Sequence, residues 1–346
     1  MASTAALRKL RRVAEHLRGT PTQQGAQPAP ASAKERHPPE DVQITGVSVR
    51  DIRFHTSKDS SGSDARSPDP DYSCAYIELT TSVGLVGSGL AFTIGRGNET
   101  VVTACEVLTR FVEGLTLADI IGDFPTVWRS LTNDGQLCWI GPEKGPVHQA
   151  AAGIINAMWD LWGKYEGKPC WQLVSDMSPE QIIGLLDFTY VEDALTPDEA
   201  REILTEAAPT KDTRAKEMQE VGFPAYTTST GWAGYPDEQV KELVQGAMAE
   251  GFTAFKMKVG MGIEDDSRRA SLMRSLIGWD SQLMMDANSV WGVNEAIEEM
   301  TALAEFRPYW IEEPTSPDDI LGHAAIQRVS QTAVVSLCFS APLCTG

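Results

Sequence analysis

Three short motifs close three apolar runs at near-even spacing: Lys256-Met257-Lys258, Asp286-Ala287-Asn288 and Glu312-Glu313-Pro314. The runs they close, 252–258, 283–288 and 309–314, have the length of buried strands, and the segments between them, 265–277 and 294–306, read as helices. A chain that alternates strand, helix and strand in this way has few folds open to it. The strands lie parallel, the helices cover them, and side chains at the strand ends gather on one rim. Chemistry-bearing groups on consecutive strand ends favour a barrel over an open sheet, whose ligands collect at a single switch point. Upstream, strands are predicted at 182–190 and 225–229 and helices at 196–221 and 237–250. That supplies four or five strands of the eight in a closed barrel.

The rim chemistry follows from strand geometry. Successive side chains alternate, so Lys256 and Lys258 share a face, as do Asp286 and Asn288. Asp286 and Glu312 offer hard oxygen ligands to a divalent metal, and a lysine beside another cation has its pKa lowered toward that of a base at neutral pH. The same alternation turns Glu313 away from the rim as a structural carboxylate. Alone, a pair of strand-end lysines reaches solvent, and Asp-x-Asn is a turn signal. In order on successive units, the three motifs indicate a proton-transfer site built around a metal.

Composition narrows the partners. The 346 residues carry 29 Lys and Arg against 48 Asp and Glu, a formal charge of -19, which argues against a nucleic-acid or anionic-membrane surface. No apolar stretch approaches the ~20 residues of a membrane-spanning helix. The six cysteines, at 74, 105, 138, 170, 338 and 344, show no metal-ligand spacing and suggest free thiols in a reducing compartment.

The first 36 residues differ from the rest, with seven basic residues against Glu15 and Glu35, and 5–18 can form a basic amphipathic helix. That segment reads either as a mitochondrial transit peptide or as a disordered N-terminal tail, so the expected setting is mitochondrial or cytoplasmic. After a linker rich in Pro, Gln, Ala and Ser, strands are predicted near 44–52, 72–80 and 83–92 and helices at 100–113 and 146–166. The polar loop 58–71, with Gly62, Ser63 and Asp64, has the composition of a flexible flap. The expected domains are a basic extension (1–41), an α+β domain (42–178), the first half of a (β/α) barrel (179–330) and a divergent tail (331–346).

The chain resembles the mandelate racemase branch of the enolase superfamily, and within it the L-fuconate dehydratases, from about Val47 to about Gln327. The resemblance rests on Asp69-Pro70-Asp71-Tyr72-Ser73, Asp134-Gly135-Gln136, Trp139-Ile140-Gly141-Pro142-Glu143-Lys144-Gly145, Trp159-Asp160-Leu161-Trp162 and Tyr226-Thr227-Thr228-Ser229. It continues through the three strand-end motifs and Thr315-Ser316-Pro317-Asp318-Asp319-Ile320-Leu321-Gly322-His323. It implies a capping domain over a modified (β/α)7β barrel of TIM type. It also implies Mg²⁺ as cofactor, a sugar acid such as L-fuconate as substrate, and a homo-oligomer as candidate assembly. The implied reaction abstracts the α-proton, passes through an enediolate and expels water from the β carbon to give a 2-keto-3-deoxy acid. By the same resemblance Lys258 is the acid/base, Lys256 and Asn288 contact substrate, Asp286 and Glu312 bind metal, and Gly62, Ser63, Asp64 and Tyr72 set sugar specificity.

The resemblance further implies a strand ending in Gly-Glu-Gln, whose Glu completes the metal site, and a later strand-end His. Residues 331–346 contain no charged side chain, and His323 matches a helix position. The chain is therefore expected to be C-terminally truncated and impaired in dehydration. The alternative is a non-catalytic isoform or pseudoenzyme that pairs with a full-length homologue.

Overall fold

The computed structural model describes residues 37–140, 145–330 and 332–335. The basic extension before His37, residues 141–144 and most of the tail lie outside the described residues. The rest forms two compact units. One holds the described residues up to Phe54 together with Asp71–Phe223, and the other holds His55–Pro70 and the residues from Pro224 onward.

In the first unit, β1 (Ile44–Arg53), β2 (Ser73–Thr81) and β3 (Val86–Thr93) form an antiparallel sheet in the order β1-β2-β3. Helices α1 (Asn98–Leu108), α2 (Leu117–Gly122) and α3 (Phe124–Thr132) follow, and then the long α4 (Pro146–Glu166). Proline at its first turn and left-handed Gly167 just past its end delimit α4. Ile77 and Leu79 of β2 share a core with Ile154, Met158 and Leu161 of α4. The alternation of glycines along β3 explains how closely that helix approaches. A Cβ on Gly89 would stand 2.1 Å from the Gly153 carbonyl oxygen, and one on Gly87 would stand 2.3 Å from that of Ala157.

Residues 182–190 do not form the expected strand. Ser178 and Gln181 make a reciprocal capping box that starts α6 (Pro179–Ile183), just after α5 (Cys170–Ser175). The single helix expected over 196–221 is two, α7 (Pro197–Ala207) and α8 (Lys211–Val221), joined by a 3-10 turn around Pro209. All of these group with the first compact unit, which runs to Phe223. The other expected early strand, 225–229, is reduced to one parallel bridge between Thr227 and Phe255.

In the second unit, β4 (Ala254–Lys258), β5 (Gln282–Asp286), β6 (Trp310–Glu312) and β7 (Ala333–Val335) form a parallel sheet in sequence order. Helices α9 (Asp237–Ala249), α10 (Ile263–Ile277), α11 (Val293–Leu303) and α12 (Ile320–Val329) accompany the strands. Phe255, Met257, Leu283, Met285 and Ile311 are wholly buried with Val244, Ala270, Ala296 and Ile326 of the helices. Each of the large side chains stabilises the fold by about 1.5–3 kcal/mol relative to exposure. Register is the feature that positions a site: Lys258 pairs with Asp286, Asp286 with Glu312, and Glu312 with Val335. The architecture is thus an α+β domain followed by a parallel α/β barrel domain whose sheet is not closed among the described residues. No described helix is long and apolar enough to cross a membrane.

Candidate active site

The register brings the strand-end side chains into one buried ionic network. Lys258 Nζ donates to Asp286 Oδ2 at 2.6 Å and to Asn288 Oδ1 at 2.8 Å. Lys256 Nζ donates to Glu312 Oε2 at 2.7 Å and lies 3.2 Å from Asp286 Oδ2. Asp286 is 1% exposed, Glu312 4%, Lys256 5% and Lys258 9%, so these charges are held by one another rather than by water. The Tyr226 ring lies 5.1 Å from Lys256 Nζ and adds a π face to that ammonium's surroundings.

This arrangement changes the expectation for Lys256. Burial pushes the Lys256 pKa down, but the Asp286 charge and the Glu312 hydrogen bond outweigh it and hold the group above its ordinary value. Neighbouring cations therefore do not decide the titration of Lys256; the intervening carboxylates do.

Asn288 reaches the network by a turn and not by strand alternation. It lies beyond β5 with φ +49, and its own amide donates to Asp286 Oδ1 at 3.0 Å. Asn tolerates that left-handed conformation better than most residues do. Glu313 adopts φ +47, and its carbonyl accepts from the Ser289 amide at 2.8 Å, joining the two turns. The turn breaks the alternation that was expected to aim Glu313 away from the rim. Burial pushes its carboxyl pKa up, and the charges of Asp286 and Glu312 push it further, so Glu313 senses the cluster. The motif names the residue, but no pattern in the sequence announces the positive φ that turns it.

Of the residues expected to set specificity, Gly62, Ser63 and Asp64 lie in the second unit and Tyr72 in the first. Ser63 is 1% exposed, and its hydroxyl donates to Ser60 O and accepts from the Gly234 amide, both at 2.8 Å. Its carbonyl accepts from Ala233 N at 3.0 Å. Asp64 Oδ1 accepts from the amides of Arg66 and Ser67. The loop expected as a flexible flap is thus tied to the 233–234 turn and folded on itself. Tyr72 meets Phe92 edge-on, with ring centroids 5.1 Å apart. His323 remains a helix residue, its Nδ1 2.8 Å from the Asp319 carbonyl oxygen one turn back.

Among the described residues, no group of three or more His, Cys, Asp and Glu side chains is placed to hold a metal ion. Two acidic donors are close, and a cation already links them, since Lys256 Nζ contacts both Asp286 and Glu312. Their hard oxygens fit two positions of the near-octahedral shell that Mg²⁺ requires.

Comparison with known proteins agrees with both units. Residues 67–175 match the mandelate racemase / muconate lactonizing enzyme N-terminal domain family, and residues 239–340 match the enolase C-terminal domain-like family. The chain belongs to the enolase superfamily. This superfamily member is 53% identical over 287 residues to mitochondrial enolase superfamily member 1 of Bos taurus, covering 82% of this chain and 65% of that protein. It is 47% identical to L-galactonate dehydratase of Hypocrea jecorina, covering 83% of this chain and 64% of the relative. The crystal structure of human mitochondrial enolase superfamily member 1 superposes with a TM-score of 0.82 at 50% identity, over 84% of this chain and 67% of that one. L-talarate/galactarate dehydratase from Salmonella typhimurium LT2, liganded with Mg and L-lyxarohydroxamate, shares the fold at 22% identity and a TM-score of 0.61, over 84% of this chain and 62% of that one. The chain therefore spans slightly less than two thirds of each of these two curated relatives.

Proposed function

We propose that the chain carries the lysine and carboxylate part of a Mg²⁺-dependent sugar-acid dehydratase site of the L-fuconate type. The observation that supports this reading most is the row Lys258, Asp286, Glu312, three adjacent strand ends in register with their charges buried together. Similarity to an L-galactonate dehydratase supports the sugar-acid class. The name of the Bos taurus relative and the basic segment before residue 37 support a mitochondrial setting.

Asp286 and Glu312 would hold the Mg²⁺, which when bound supplies the positive charge that makes a proton α to a carboxylate removable. Lys258 would take that proton at Nζ, the atom that Asp286 and Asn288 now orient. Lys256, kept protonated by its carboxylate neighbours, would donate a hydrogen bond to the substrate carboxylate. Asn288 would offer its side-chain amide to a substrate hydroxyl. Loss of the α-proton and of the β-hydroxyl removes one water and leaves the 2-keto-3-deoxy acid after tautomerisation.

The test is incubation of the full chain with L-fuconate and Mg²⁺, assayed for a 2-keto-3-deoxy product. Slow formation that disappears in Lys258→Ala is the expected result. No product from a folded chain, or equal product from that variant, overturns the proposal. Among the described residues Asp286 and Glu312 are the two carboxylates that Lys256 links, so calorimetry is expected to show weak Mg²⁺ binding, with most of the shell left to water.

A further inference from the structure

Behind the rim, α10 carries a buried acid and a buried guanidinium for which the proposed chemistry has no use. Asp266 is wholly buried and Arg269 is 5% exposed. Arg269 Nη1 donates to the carbonyl of Lys258 at 2.6 Å, while Nη2 donates to those of Gly231 at 3.0 Å and Trp232 at 3.1 Å. The Lys258 amide also donates to Gly231 O, at 2.8 Å. One guanidinium therefore joins the end of β4 to the 231–232 turn. One turn earlier on the helix, Asp266 Oδ2 accepts from the amides of Gly260 at 2.6 Å and Met261 at 3.2 Å, fixing the two residues that lead the chain away from Lys258. Its other oxygen lies 4.0 Å from Arg269 Nη1.

The turn that Arg269 grips also holds the flap. Ala233 and Gly234 donate their amides to Ser63, and a Cβ on Gly234 would stand 2.7 Å from Ser60 Cβ. Flap, turn, guanidinium and the backbone of Lys258 are one hydrogen-bonded series. A lysine in place of Arg269 keeps the charge but lacks the planar fork that spans three carbonyls.

We propose that Arg269, braced by Asp266, is the positioning residue that fixes Lys258 against Asp286 and couples it to the flap. The inference rests on the reading of Lys258 as the proton-transfer group, yet its test needs no turnover. In the full chain, competitive amine labelling at one pH, read by peptide mass spectrometry, gives the reactivity of Lys258 relative to Lys256. In Arg269→Lys, labelling of Lys258 is expected to rise about tenfold, the factor for losing one charge-assisted hydrogen bond, with Lys256 within about twofold of the unaltered chain. Asp266→Asn is expected to move the same ratio in the same direction by less. Both lysines rising together, or neither rising in a folded variant, overturns the proposal. Should neither variant fold, amide exchange in the unaltered chain decides. The Gly260 and Met261 amides exchanging as slowly as those of β4 support it, and exchange at open-loop rates overturns it. An unchanged labelling pattern argues against Arg269 as the positioning residue, whereas failure to form product with the expected pattern intact argues against the dehydratase reading alone.

Discussion

Strands β2 and β4 use burial in opposite ways. β2 sinks Ala75, Ile77 and Leu79 into an apolar core, and Glu78 between them turns to the opposite, wetter face, where it pairs with Arg50. β4 buries all five of its residues, Lys256 and Lys258 included. An antiparallel sheet covered on one face can send its charges to water by alternation, whereas a parallel strand covered on both faces has no wet side. Charges in such a strand persist at its end, and there they must find partners of opposite sign. The first unit therefore places its ion pairs where little depends on them, and the second places them where the fold and the proposed chemistry depend on the same groups.

Removing Asp286 tests that contrast most severely. Asp286→Ala takes the shared partner from two buried ammonium groups and is expected to cost about 3–5 kcal/mol in urea unfolding. Asp187→Ala, which breaks the more exposed pair with Arg129 in the first unit, is expected to shift the midpoint barely at all. Equal effects would remove the distinction between the units.

The second unit also holds a carboxyl whose protonation favours the fold. Burial pushes the Asp266 pKa up to about 6, against the opposing pull of the Gly260 and Met261 amides and of Arg269. The folded value lies above the unfolded one. This contribution is therefore complete below about pH 4 and is lost as pH rises through about 6, up to about 3 kcal/mol in all. Asp266→Asn should remove that component, so the stability difference between the unaltered chain and the variant should fall from pH 4 to pH 7. A difference that stays flat would show that Asp266 titrates like an exposed carboxyl.

The counterpart in the first unit is steric. Gly89→Ala drives a methyl into the backbone of α4, 2.1 Å from the Gly153 carbonyl oxygen, and is expected to cost about 1–3 kcal/mol. Thermal unfolding measures it, and a neutral result would mean that helix and sheet separate easily.

The legible parts of the molecule follow the same division. The three strand-end motifs could be read because register and period-2 geometry are simple consequences of parallel strands, and Lys256, Lys258, Asp286 and Glu312 do converge. Their mutual neutralisation was less visible, because it depends on distances across strands that spacing along the chain does not supply. Asn288 and Glu313 depart from alternation through positive φ, a backbone choice with no apolar pattern to betray it. Arg269 and Asp266 are harder still to read. An i, i+3 acid and base on a helix ordinarily make a solvated pair, and nothing in composition says that this face of α10 is packed against the end of β4.

At 182–190, where a strand is expected, the chain instead ends a short helix, Pro179–Ile183. Ile182, Ile183, Leu185 and Leu186 make a short apolar run of strand length, and a run of that length does not separate strand from buried helix. The deciding signal precedes it: Ser178-Pro179-Glu180-Gln181 spells a capping box with proline at the first helical position. The Ser178 hydroxyl accepts from the Gln181 amide, and the Gln181 side chain accepts from the Ser178 amide at 2.9 Å. Two end groups that a strand would pair with a neighbour are thus satisfied locally. Ser178→Ala removes one of those bonds and is expected to cost about 1 kcal/mol, read as a small fall in Tm with little loss of helix signal. An unchanged Tm would shift the credit from the cap to Leu185, which packs against the apolar clusters of the first unit and could hold the turn by burial alone.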